Sequence, residues 1–334
     1  MPRALAAWLR TLAGAAILAV LLWRLGTGPF LDGLRRIDAP ALLGALAIGL
    51  FTTVFSAWRW CLVARGLGLR LPLRRALADY YRALFLNAAL PGGVLGDVHR
   101  AVGHGRSAGD LARGVRAVVL ERAAGQAVLC VVGVLVLLAQ PSLALAETQR
   151  LFHTSGADAA ALVCCLLLLA AVGWLCWGPA TSRRRRAVLA ACAEARDGLL
   201  ANGGWHGVIL SSVAVLAGYL GMFLLAARVA GSTAPLAVLV PLMVLALLAM
   251  ALPLNVGGWG PREGVAAWSF GAAGLGAAQG LAVAVVYGVL TLVASLPGIG
   301  VLIARGVAGL RPAPAQIELP ERVLAEEGAA RRGP

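Results

Sequence analysis

The stretch Leu252-Pro-Leu-Asn-Val-Gly-Gly-Trp-Gly-Pro-Arg-Glu-Gly264 decides how this chain folds, because it interrupts an apolar run of membrane-spanning length. No charge occurs from Pro235 to Leu252, and a second apolar stretch begins at Val265. Between them stand Pro253 and Pro261, the glycines Gly257, Gly258, Gly260 and Gly264, Asn255, and the adjacent Arg262 and Glu263. Hydrocarbon tolerates irregular backbone only where protein or a polar cavity satisfies the freed N–H and C=O groups. Charged side chains at that depth need a partner or a cavity too. A solvent loop between two spans is the alternative. A second stretch of similar make-up, Asn87-Ala-Ala-Leu-Pro-Gly-Gly-Val-Leu-Gly-Asp-Val-His-Arg100, favours the intramembrane reading. Two Gly/Pro-interrupted apolar segments, one in each half, point to a transporter-type site near the midplane.

Composition sets the class. The chain is 60% hydrophobic and 13% charged, against roughly 25% charged in a soluble domain, which makes it an integral membrane protein. Its net charge of +14 comes without a basic face interleaved with exposed aromatics, so nucleic acid is not the expected partner. The arginines instead cluster between apolar runs, as the positive-inside rule expects of cytoplasmic loops. There is no lysine, which excludes a Walker A loop, a Schiff-base enzyme and a pyridoxal site. Cys61, Cys130, Cys164, Cys165, Cys176 and Cys192 lie mostly inside apolar runs, without metal or disulfide spacing, and read as small hydrophobes. His99, His104, His153 and His206 have no metal spacing either, and no Gly-x-Ser-x-Gly elbow occurs. No enzyme, cofactor or metal is expected.

In chain order, the run from Leu12 to Trp23 follows Arg3 and Arg10 and lacks a small-x-small cleavage site, so it reads as a first span with its amino end inside. Leu25–Pro40 reads as an outer loop. Ala41–Ala64 is the second span, with Trp58 and Trp60 flanking Arg59 as interfacial anchors. Arg65, Arg70, Arg74 and Arg75 mark the next loop as cytoplasmic. Ala76–Leu90 is too short and too polar to cross, and reads as half a helix stopping at Pro91-Gly92-Gly93. Asp97 is placed to cap a returning helix. Ala117–Ala139 and Asp158–Trp177 are further spans, and Arg183–Arg186 marks the cytoplasm again. Ala187–Leu200 suits a surface amphipathic helix, Trp205–Val229 crosses outward, and Leu281–Ala304 is the last span, kinked at Pro297-Gly298. Residues 306–334, with Pro312 and Pro314, read as a disordered cytoplasmic tail behind a membrane domain of residues 1–305.

The basic clusters can all be inside only if 76–98 and 235–276 enter and return without crossing. The expected fold is therefore an all-α polytopic membrane protein. It has about six full transmembrane helices plus two oppositely inserted re-entrant hairpins, on the plan of an inverted repeat. Pro261 at a first helical position predicts a helix there, with unpaired N–H groups turned inward to hold an anion. Arg262 adds a planar donor fork suited to phosphate. Glu263 is either its ion-pair partner or a proton-coupling carboxylate. Asp97 and Arg100 share a helical face, and Glu121 and Arg122 form a mirrored Glu–Arg couple. Glycine at 257, 258 and 260 permits positive φ or close approach of a phosphate.

At these residues the chain also resembles a family. Trp58-Arg59-Trp60, Asn87-x3-Pro91-x4-Gly96-Asp97-x2-Arg100, Glu121-Arg122 and Pro253-x3-Gly257-Gly258-x-Gly260-x-Arg262-Glu263-Gly264 resemble the flippase-like transmembrane region of lysylphosphatidylglycerol synthases. The resemblance covers roughly residues 5 to 305 and implies a stand-alone relative without the aminoacyl-transferase domain. Trp259 stands where a small aliphatic is expected, and Tyr287 where an arginine is. The resemblance implies a role in moving or presenting a lipid across the inner membrane. Together with the arginines at the breaks, the expected activity is translocation of an anionic lipid or lipid-linked intermediate, and the arginine clusters place both termini in the cytoplasm. The alternative is an accessory subunit that presents lipid to a separate lipid- or glycan-modifying enzyme. The expected headgroup contacts are Asn87, Asp97, Arg100, Glu121, Arg122, Asn255, Gly257, Gly258, Gly260, Arg262 and Glu263.

The topology has a direct check: cysteine-accessibility labelling at Arg184 and at Gln149 is expected to report opposite sides of the membrane. Labelling from one side at both positions would overturn the arrangement.

Overall fold

Apolar runs of this length form helices because a helix satisfies every backbone polar group within its own segment. The computed structural model describes residues 17, 19–21, 23–90, 94–139, 204–250 and 259–310. Among them ten helices follow one another, and no β-strand occurs. They are α1 (Gly28–Arg35), α2 (Ala39–Gly66), α3 (Leu73–Ala89), α4 (Leu95–Ser107), α5 (Leu111–Ala139), α6 (Trp205–Val229), α7 (Leu236–Met250), α8 (Pro261–Ala272), α9 (Ala277–Ser295) and α10 (Pro297–Leu310). Four stretches are long and apolar enough to cross a bilayer: Ala39–Gly66, Leu111–Val136, Trp205–Val229 and Ala277–Ala304. The expected spans at Leu12–Trp23 and Asp158–Trp177 lie largely or wholly outside the described residues, as do Arg183–Arg186 and residues 311–334.

Local chemistry sets the helix ends. The Asp38 carboxylate accepts from the Ala41 N–H at 2.9 Å, which caps α2 behind Pro40 in its first turn. Several expectations need correcting. Leu25–Pro40 is not all loop, since it contains α1. Asp97 does not cap α4; Val94 precedes the helix, and Asp97 lies within its first turn with its carboxylate turned to side chains. The last span is longer than expected, and its helix is interrupted at Leu296, ahead of Pro297. Helix α10 runs on through Leu310, past the boundary expected at 305.

The helices pack in two corresponding sets. In the first, α3 packs on α4 and α4 on α5; in the second, α7 packs on α8 and α8 on α9. α2 and α6 pack against each other, α2 also meets α9, and α6 meets α5. α3 touches α9, just as α7 touches α5. Each set has its own core. Trp60, Val63, Tyr80 and Ala117 gather between α2, α3, α4 and α5. Phe223, Met243, Phe270, Tyr287 and Leu290 gather between α6, α7, α8 and α9. Large aliphatic side chains such as Leu43, Leu50, Val131, Leu135 and Leu210 face outward, as a surface bathed in lipid tails allows.

Close backbone approach within each set depends on glycine. A Cβ on Gly96 of α4 would collide with the Ala83 carbonyl of α3, and one on Gly280 of α9 with the Ala266 carbonyl of α8. Gly221 of α6 has nothing within 4 Å of such a Cβ. Gly280→Ala is therefore expected to destabilise by about 1–3 kcal/mol, as overpacking does, whereas Gly221→Ala is neutral or slightly stabilising. Unfolding of both variants in detergent, compared with the parent, checks this.

Candidate functional site

The first set of helices is keyed by Glu121. This carboxylate has no exposed surface and lies on the span-length helix α5. Arg59 of α2 donates to its Oε1 through Nε (3.0 Å) and Nη2 (2.5 Å), and the Tyr80 hydroxyl of α3 lies 3.2 Å from the same oxygen. Arg100 of α4 donates to Oε2 at 3.0 Å. The fit of Arg59 needs Gly125, one turn along α5: a Cβ there would come within 2.9 Å of Arg59 Nη1. Arg59 also reaches the Ser212 hydroxyl of α6 at 3.2 Å.

A second carboxylate extends the network. Asp97 Oδ1 accepts from Arg100 Nη2 (2.9 Å) and from Arg122 Nη2 (2.8 Å), and its Oδ2 accepts from Asn87 Nδ2 (3.1 Å). The Asn87 carbonyl oxygen accepts from the Gly96 N–H at 2.7 Å, so one donor at the start of α4 is occupied from within. The Arg100 guanidinium is sandwiched between aromatic faces, 4.5 Å from the Trp60 centroid and 4.3 Å from that of Tyr80.

The second set uses a shorter device. Arg262 and Glu263 are chain neighbours at the start of α8, both buried, and Arg262 donates to Glu263 Oε1 through Nε at 2.9 Å and through Nη2. Glu263 Oε2 accepts from the Gly260 N–H at 2.7 Å, so this helix start too is capped from within. Gly260 has φ +122°, open to glycine and strained for any side chain. The Arg262 guanidinium lies 5.3 Å from the Trp259 centroid and 5.0 Å from that of Tyr287. Gly288 of α9 makes room for it, since a Cβ there would sit 2.6 Å from Arg262 Nη2 and 2.8 Å from Trp259 Cη2.

Between the two sets lies a cavity of about 310 Å³. Asn87, Arg122 and Arg262 are the expected contacts that line it. Arg100 and Glu121 are buried behind this wall, each at 1% exposure or less, with Asp97 and Glu263 holding the lining arginines. Gly260 is not among the lining residues, and Asn255, Gly257 and Gly258 lie outside the described residues. Arg122 does not pair with its neighbour Glu121; it reaches Asp97 and keeps 40% of its side chain exposed. The sequence reading did not single out Thr52, Thr53, Tyr219, Trp259 or Thr291 as contacts, yet all line the cavity. The hydroxyl spacing carried a signal, because Thr52, Ser56 and Arg59 recur at i, i+4 and i+7 and so share one face of α2.

A multi-helix membrane protein with arginine–carboxylate pairs beside a cavity of mixed polar and apolar walls is the class this arrangement defines. Residues 8–298 match the family model described as the lysylphosphatidylglycerol synthase TM region, and the chain belongs to that family. No curated protein and no solved structure matches it.

Removing one partner of a buried charge pair leaves the others uncompensated and costs roughly 3–5 kcal/mol. Glu121→Gln, which strands Arg59 and Arg100, is expected to lose about that much stability, measured by unfolding in detergent. Arg122→Gln, half-exposed at the cavity wall, is expected to unfold close to the parent.

Proposed function

We propose that this protein moves an anionic lipid or lipid-linked intermediate across the inner membrane, its headgroup passing through the cavity while the chains stay in the bilayer. The observation that carries this is the pair Arg122 and Arg262. They come from different halves of the chain and line one cavity. Each is a permanent cation with a donor fork that matches phosphate. Leu292 lines the same cavity and is 40% exposed, which supplies an apolar side along which chains can run.

The mirrored packing of the two helix sets supports the finer architecture. Each set would be a re-entrant pair, α3–α4 or α7–α8, inserted from opposite faces of the membrane, followed by a span, α5 or α9. The two would relate by a pseudo-two-fold axis between α2 and α6. With the termini and basic loops in the cytoplasm, about six full spans result, and the hairpin breaks bring polar groups to the midplane, where a headgroup must pass.

Arg122→Ala is expected to abolish lipid movement in proteoliposomes, read by accessibility of the headgroup from outside, while inserting and purifying normally. Arg262→Ala is expected to abolish it too, at a stability cost of roughly 3–5 kcal/mol because Glu263 is left buried and unpaired. Parent-level movement by both would remove the arginines from the substrate path. A parent protein that binds anionic lipid but moves none would instead support the accessory reading, in which lipid is presented to a separate enzyme.

A further inference from the structure

The charges around the cavity can be counted. Arg59, Arg100 and Arg122 face Asp97 and Glu121 in one connected network, which leaves one positive charge over. Arg262 and Glu263 neutralise each other. The surplus reaches the cavity at Arg122, because Arg59 and Arg100 are buried at 4% and 1% exposure and Arg122 is not. Among the described residues the wall is thus built to take one negative charge. A second would stand against Asp97, Glu121 and Glu263 in a medium that screens poorly.

The same carboxylates speak against a cationic headgroup. Asp97, Glu121 and Glu263 are all held by arginines, so none is free to receive an ammonium. Two of the three aromatic rings at the cavity already carry a cation: Tyr80 lies under Arg100, and Trp259 under Arg262, which leaves Tyr219 alone and short of an aromatic cage.

The hydroxyl wall says what accompanies the single charge. Thr52 and Thr53 of α2 donate to Gly49 O at 3.0 and 2.6 Å; Thr291 of α9 donates to Tyr287 O at 2.9 Å, and Ser295 to Leu292 O at 2.7 Å. With their protons committed to their own helices, Thr52, Thr291 and Ser295 keep lone pairs for the cavity, whereas Thr53 also engages the Tyr81 hydroxyl. A row of acceptors suits a ligand that brings O–H donors. Resting on the translocation reading above, we infer that the headgroup is a monoanionic phosphodiester whose far ester carries a neutral, polyhydroxylated group. The phosphate meets Arg122 and Arg262, and the hydroxyls meet Thr52, Thr291 and Ser295.

The test uses the full chain in liposomes doped with acyl-labelled lipids in matched pairs. Phosphatidylinositol and phosphatidylinositol 4-phosphate differ in charge at constant polyol. Phosphatidylglycerol and its lysyl ester differ by an added ammonium, and phosphatidylcholine lacks hydroxyl donors. Phosphatidylinositol and phosphatidylglycerol are expected to move about tenfold faster than the other three, since each of those adds an uncompensated charge or loses its donors. Equal or faster movement of the 4-phosphate or the lysyl ester overturns the inference while leaving translocation standing. Asp97→Asn adds one positive charge and is expected to shift preference toward the 4-phosphate; if that variant does not fold, Glu263→Gln makes the same change on the other side. An unchanged preference in a folded variant also counts against the inference. If no lipid moves, translocation fails, and the inference is then decided by binding. Thermal stabilisation by the two hydroxylated monoanions over the other three upholds it, and stabilisation without that order overturns it. Uptake of soluble glycerophosphoinositol in place of the lipid would identify a water-soluble phosphodiester as the ligand and overturn the lipid assignment.

Discussion

Glu121 is a carboxylate with no exposed surface on a helix of span length, and such a charge persists only if cations reach it from elsewhere in the fold. Arg59 comes from α2, Arg100 from α4, and the Tyr80 hydroxyl from α3. One side chain therefore fixes the register of three helices on a fourth. Slippage of α4 by a residue would swing Arg100 about 100° around its helix, at 3.6 residues per turn, and strand the charge. Apolar packing alone could not impose this, because lipid tails are as good a neighbour for leucine as another helix is. Polar pairs and close glycine contacts provide specificity where the hydrophobic effect provides little.

The two halves of the chain reach a related arrangement by unequal means. In each, a short helix carries an arginine stacked on aromatic rings, Arg100 on Trp60 and Tyr80, Arg262 on Trp259 and Tyr287. In each, a glycine on the neighbouring span makes room for a guanidinium, Gly125 for Arg59 and Gly288 for Arg262. The inequality lies in charge. The first half distributes three arginines over two carboxylates, and the second pairs one with one. An electrically balanced pair can orient a donor fork without attracting an ion strongly. The unbalanced network supplies the attraction, and together they give the cavity both pull and geometry.

Much of this could be read from the chain because hydrocarbon is an exacting solvent. The end of α3 at Ala89 and the start of α8 at Pro261 follow from the proline and glycine clustered beside them, and the i, i+3 pairing of Asp97 with Arg100 follows from helical pitch. What could not be read was the long-range partnering. Nothing in the two tryptophans that flank Arg59 indicates its partner, a buried carboxylate 62 positions away. Glu121 and Arg122, adjacent and opposite in charge, point to different partners, since neighbours on a helix are turned about 100° apart. The cavity walls on α2 and α9 look apolar by hydropathy because threonine and serine hidden on one face barely change a window average. Only the pairing of α2 with α6 and α9 shows which face lines the cavity.

The two helix starts show how the site divides its labour. Broken helices in a membrane were expected to offer bare N–H groups to an anion. The donors seen at these starts are engaged already, Gly260 N–H by Glu263 and Gly96 N–H by Asn87. At each of these starts a side chain of the same neighbourhood thus satisfies one donor, with or without a ligand in the cavity, where an unsatisfied donor would cost several kcal/mol. On the proposed reading, the arginines rather than these two N–H groups would meet the headgroup. Their charge does not depend on the helix keeping its end frayed, and a guanidinium can turn with a moving headgroup as a fixed backbone donor cannot. Under the proposed translocation that division would suit the site: the packed helix starts hold the walls, and Arg122, half-exposed at the cavity, is placed to carry the contact.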